Sequence, residues 1–171
     1  MLQSTIKYFN MKTQAFKTLF TVVFLMFFGT IITAQTFVKP EQINTNSISA
    51  FLAGKNYETV ETTKDYLKIK KKGGERAFYL DLKDTNRYIF FNIAYKVIDH
   101  VDQAKLDAYL KKVNEFNVVK VRYFEKGNDV QIEYYFWTKQ GFTYETLLDA
   151  IDEFYLYIGD CVNDDTDKIL Q

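Results

Sequence analysis

Three small groups of residues in this chain have the types and spacing that chemistry requires. His100 is the only histidine, with Asp99 and Asp102 close by, so an imidazole steadied by a carboxylate is available for proton transfer. Cys161 is the only cysteine, a nucleophile wherever its thiol ionises. Asn163, Asp165 and Asp167 alternate as the oxygen ligands of a calcium loop do.

Each group has a simpler account in the element that must position it. Asp102 stands where a helix begins and is explained as its N-cap, which takes away one of the two carboxylates beside His100 and favours a structural role for this group. Cys161 is placed just after the last helix, where the negative end of the dipole disfavours a thiolate. Burial or an intermolecular disulfide is the expectation there. Lys168 stands where a calcium loop needs glycine and no closing glutamate follows, so 161–171 reads as a solvated acidic tail. Lys70-Lys71-Lys72 runs straight into Gly73-Gly74 and reads as a hairpin tip rather than a polyanion site. Phosphate-cradling glycine loops, HExxH and paired cysteines do not occur. The expectation is a protein that is not an enzyme, with no catalytic residues, no metal ligands and no cofactor.

The front of the chain is more telling than these groups. Met11-Lys12 opens a basic segment, Leu19 to Phe28 is almost wholly apolar, and Ile32-Thr33-Ala34-Gln35 follows. That order is the grammar of a secretory signal peptide, with Met11 as the preferred start and cleavage after Ala34. Residues 1–34 are thus expected to be removed, placing the remainder in the periplasm or outside the cell. A retained membrane anchor is the rival expectation, although the 16 apolar-rich positions from Leu19 to Ala34 fall short of the roughly 20 a spanning helix needs.

The expected mature chain is short of basic charge. Three of the 22 basic residues, Lys7, Lys12 and Lys17, lie in the leader, leaving 19 against 22 acidic ones. Nucleic-acid binders show the opposite balance, so no nucleic acid is expected as a partner. With one cysteine there is no internal disulfide, and burial must hold the domain together. Aromatic residues, 18% of the chain, supply that burial.

Periodicity orders the rest. Residues 35–46 read as a linker, with Pro40 the only proline. Ile48, Phe51 and Leu52 recur at helical spacing, and Gly54 is expected to end that helix in the left-handed conformation. From Tyr57 to Val97 the period becomes two, predicting four strands. Gly73-Gly74 and Asp84-Thr85-Asn86 supply two of the turns between them. Ile89, Phe91, Ile93, Tyr95 and Val97 make the inner face of the fourth strand. Leu106, Tyr109, Leu110, Val113 and Phe116 predict a helix over 102–117, stopped by Asn117. Two strands follow, 119–123 and 130–137. Thr143 then caps a final helix, with Phe142 and Leu147 as a hydrophobic staple.

The resulting order, helix–strands–helix–two strands–helix, is an α+β domain over 47–160 with an antiparallel sheet. It resembles the YbjN family of small bacterial domains. The likeness is carried by the helix leading into Gly54 and Tyr57, by Leu110-Lys111-Lys112-Val113-Asn114-Glu115-Phe116-Asn117, and by Gly141-Phe142-Thr143-Tyr144-Glu145-Thr146-Leu147. The resemblance implies a fold similar to that of type III secretion chaperones, which bind segments of partner proteins and often dimerise.

The candidate binding residues are Tyr135, Trp137 and Phe90. If Tyr134 and Phe136 face the core, Tyr135 and Trp137 point away from it with Gln131 and Glu133. An exposed Tyr/Trp pair among polar neighbours is typical of a recognition surface. The more conservative expectation is that a helix covers this face and makes both residues ordinary core. The functional expectation is an exported, non-enzymatic domain that binds a protein partner or forms a homodimer through its aromatic sheet face or a flanking helix. The alternative is an extracytoplasmic small-molecule or glycan binder, which an aromatic cleft in that face would favour.

Overall fold

The computed structural model describes residues 37–171 with the exception of Asn86. The expected leader, its start at Met11 and its cleavage after Ala34 lie outside the described residues, as does the Asn86 position of the expected turn.

Alternating apolar residues build the sheet. Strands β2 (Tyr57–Thr62), β3 (Tyr66–Lys71), β4 (Ala77–Asp81), β5 (Tyr88–Lys96), β6 (Lys120–Phe124) and β7 (Asp129–Trp137) join in the order β2-β3-β4-β5-β7-β6. Every neighbouring pair is antiparallel. On the inner face Leu67, Leu80, Phe91 and Tyr134 fall in register across four strands, and Val121, Ile132 and Ile93 across three. A single-residue slip would turn each row outward, so burial of this face sets the register.

Three helices cover that inner face. α1 (Thr45–Ala53) starts where the Asn44 side chain accepts the Ser47 N–H, and it buries Ile48 and Leu52. α2 (Gln103–Val113) is capped by Asp102, as expected, and buries Leu106, Tyr109 and Val113. α3 (Tyr144–Asn163) opens on a reciprocal pair in which Thr143 and Thr146 each cap the other's backbone N–H. The expected staple residues, Phe142 and Leu147, are both buried. Phe154 of α3 stands over the centre of the sheet, its ring centroid 5.2 Å from Phe78 and 5.8 Å from Phe91.

The α+β reading and the antiparallel sheet are therefore correct, and four details differ from expectation. Gly54 ends α1 at φ −81°, in the right-handed region, so its turn does not depend on left-handed geometry. α2 stops at Asn114 rather than Asn117, because the Asn114 amide donates to the Leu110 carbonyl left open at the helix end. α3 runs past Asp160 to Asn163, which puts Cys161 inside the helix. Residues 164–171 fold back: Asp165 accepts the N–H groups of Ile169 and Leu170 at 2.9 and 2.8 Å, and Ile169 is buried. The N-terminal linker is also partly structured. β1 (Phe37–Val38) pairs with β8 (Phe142–Thr143), burying Val38.

Among the described residues, no helix is long and apolar enough to cross a membrane.

Candidate functional site

Pleating sends the odd-numbered residues of β7 beyond Glu133 away from the helices, together with the even-numbered residues of β5. No helix is laid over this second face among the described residues, so the expectation of a covering helix is not met. Trp137 is 67% exposed and Tyr135 36% exposed. Phe90 stands directly opposite Tyr135, and Tyr88 directly opposite Trp137. The four rings form one cluster, with centroid distances of 4.9 Å for Phe90–Tyr135, 5.0 Å for Tyr88–Tyr135 and 6.0 Å for Tyr88–Trp137. The three candidate residues thus lie together, joined by Tyr88, two positions before Phe90 on the same face of β5.

A polar floor lies beside the cluster. Glu133 is fully buried on a face that is otherwise wet. Its Oε1 accepts from Arg122 Nε at 2.9 Å and from Arg122 Nη2, while Oε2 accepts from the Tyr135 hydroxyl at 3.3 Å. Arg122 is paired across the strands with Gln131, so it reaches Glu133 along the diagonal. The bond to Glu133 holds the guanidinium above its already high value. Burial, reinforced by the Glu133 carboxylate, raises the Tyr135 phenol. Tyr88, Phe90, Tyr135, Arg122, Gln131 and Glu133 line a cavity of about 320 Å³ together with Asp81, Lys83 and Asp84.

The crystal structure of YbjN, a proposed transcription regulator from E. coli, matches this chain with a TM-score of 0.61. The chain has the YbjN fold. The match covers 74% of this chain and 94% of that one at 18% identity. No family model matches the sequence, and no curated protein does. The likeness to YbjN concerns the sheet and its helices. Nothing about the aromatic cluster follows from it.

Elsewhere on the YbjN-like frame the other candidates separate. His100 is exposed at φ 59° in the turn after β5, and the Asp102 carboxylate is engaged with the Ala104 N–H at 2.9 Å. Cys161 is fully buried, and desolvation pushes its thiol up to about 12, with Asp160 and Asp164 adding to the effect. Asn163, Asp165 and Asp167 do not converge. Asp165 caps the returning tail and Asp167 pairs with Lys105 at 2.8 Å. Among the described residues no group of His, Cys, Asp and Glu is arranged to hold a metal ion. The lysine run leads into the β3–β4 hairpin turn as expected, and its ammonium groups are engaged there: Lys70 pairs with Glu58, Lys71 with Asp152, and Lys72 donates to the Lys55 carbonyl.

Besides Tyr88, the site residues that sequence reasoning did not single out are Arg122 and Glu133. Each follows strand alternation, yet their meeting depends on β6 and β7 being neighbours in one particular register.

Proposed function

We propose that this chain is an exported, non-enzymatic recognition domain that binds a protein partner or a second copy of itself through the open aromatic face. The observation that carries this reading is Trp137, largely exposed at the end of a cluster with Tyr88, Phe90 and Tyr135. Tyr, Trp and Arg supply most of the energy in protein interfaces, because they bury much area and keep a polar handle. The acidic balance beyond residue 34 supports a protein-directed role over a nucleic-acid-directed one. Export rests on the basic–apolar–small order of residues 11–35.

Light scattering on residues 35–171 tests the binding surface. A dimer that becomes a folded monomer when Tyr135 and Trp137 are replaced by Ser supports it. A dimer untouched by those changes places assembly elsewhere. Mass analysis of the extracytoplasmic protein tests export, with Gln35 expected as the first residue and an intact leader counting against it.

The cavity beside the cluster favours a second reading, the small-molecule or glycan binder. An open concavity of about 320 Å³ falls at the lower end of ligand pockets, roughly 300–1,000 Å³.

A further inference from the structure

The charged groups around the cavity are already neutralised within the molecule. Asp81 pairs with Lys83 at 3.4 Å, Asp84 with Arg87 at 3.6 Å, and Glu133 with Arg122. What remains is a set of paired polar groups with no excess of either sign, set against the rings of Tyr88, Phe90 and Tyr135. An ionic ligand would meet both signs within a few ångströms. A purely apolar one would strip water from these groups and give nothing back. A hydroxyl both donates and accepts, so a ligand dense in hydroxyls satisfies donors and acceptors alike. Aromatic faces carry negative π density that attracts the C–H side of a sugar ring.

We propose that this cavity binds one pyranose unit of a neutral saccharide. Arg122 is the principal donor. Its Nε and Nη2 are spent on Glu133, and among the described residues its Nη1 has no hydrogen-bond partner. Glu133 is a positioning residue: buried under the cluster, it holds the guanidinium fork in one orientation. Only the carboxylate of this pair is buried, Arg122 keeping 43% of its side chain exposed, and such a pair is a poor source of stability compared with apolar packing. Its presence on an otherwise solvated face therefore fits a role in orienting Arg122.

The inference rests on reading the aromatic face as a recognition surface and names the ligand of one part of it. Trp137, the only tryptophan, lies outside the cavity but 6.0 Å from the Tyr88 ring that lines it, so its emission senses a ligand packed on Tyr88. Tryptophan emission of residues 35–171 is followed during titration with cellobiose, chitobiose, maltotriose and trigalacturonate. At least one neutral sugar is expected to give a saturable change, weakened at least tenfold by Phe90→Ala and by Tyr88→Ala. Leu156→Ala, at an exposed apolar position of α3 outside the cavity, leaves it unchanged. Circular dichroism confirms that each variant is folded, and the double change Arg122→Met with Glu133→Leu provides a variant that leaves no buried charge unpaired. The proposal is overturned if no neutral sugar gives a saturable change, if trigalacturonate alone binds, or if binding survives the cavity variants. Failure of the wider reading looks different. Trp137-dependent dimerisation without sugar binding removes the saccharide and keeps the face, whereas sugar binding by a chain whose assembly ignores Tyr135 and Trp137 does the reverse.

Discussion

The side chain of Asn114 stands in for a strand beside Val121. Val121 N–H donates to Asn114 Oδ1 and Asn114 Nδ2 donates to the Val121 carbonyl, both at 2.9 Å. Val121 belongs to β6, an edge of the sheet, so this amide occupies backbone groups that would otherwise pair with another chain. The same Nδ2 closes α2 through the Leu110 carbonyl at 2.8 Å. One residue thus ends a helix and blunts a sheet edge.

Asn114→Ala is expected to lower unfolding free energy by about 1–3 kcal/mol, the cost of leaving such groups unpaired. Denaturant titration reads the loss. Light scattering should also show new association that Trp137→Ser does not reverse, because it would arise at β6.

Removing Arg122 leaves the buried Glu133 carboxylate without its cation. Arg122→Met is expected to cost about 3 kcal/mol, and adding Glu133→Leu should restore most of it. A double-mutant cycle measures the coupling, and strict additivity would show that the pair does not act as a unit.

Exposure separates the two faces energetically. Trp137→Ser should change stability by no more than about 0.5 kcal/mol. Phe91→Ala, at a fully buried ring on the opposite face, should cost about 3–5 kcal/mol. Equal losses would mean that Trp137 is packed in solution.

Cys161 makes stability depend on alkali. Burial raises its thiol from an ordinary 9.0 to about 12, so the unfolded chain releases this proton first. The stabilisation is complete below about pH 9 and disappears as pH rises toward 12. Buried Tyr57 and Tyr109 are shifted upward as well, chiefly by desolvation, and steepen the decline. Cys161→Val should flatten the pH dependence of the denaturation midpoint in this window. A thiol reagent at pH 8 should leave the folded protein unmodified.

Gly141 is held at φ 81°, and a Cβ there would come within 2.7 Å of the Val38 carbonyl. Gly141→Ala is expected to destabilise by more than about 1 kcal/mol and to loosen β1 from β8. Hydrogen exchange at Val38 would register that release.

Local pattern carried much of this protein. Alternation from Ile89 to Val97 picks out the inner face of β5, and Asp102 and Thr143 mark two helix starts, because these signals depend on near neighbours along the chain. The same alternation put Phe90, Tyr135 and Trp137 on one side of the sheet. Signals that end elements were weaker. Asn117 looks as good a stop as Asn114, and only Val121, brought alongside by the sheet, distinguishes them.

By itself the sequence determined the α+β class, the order of helices and strands, and which residues of each strand share a face. Periodicity is a property of adjacent residues and survives without knowledge of the fold. Tertiary structure decided that the second face lies open among the described residues, that Arg122 reaches Glu133 across β6 and β7, and that Cys161 and Ile169 are buried. Those outcomes depend on which distant segments become neighbours and in what register, and no local spacing encodes that choice.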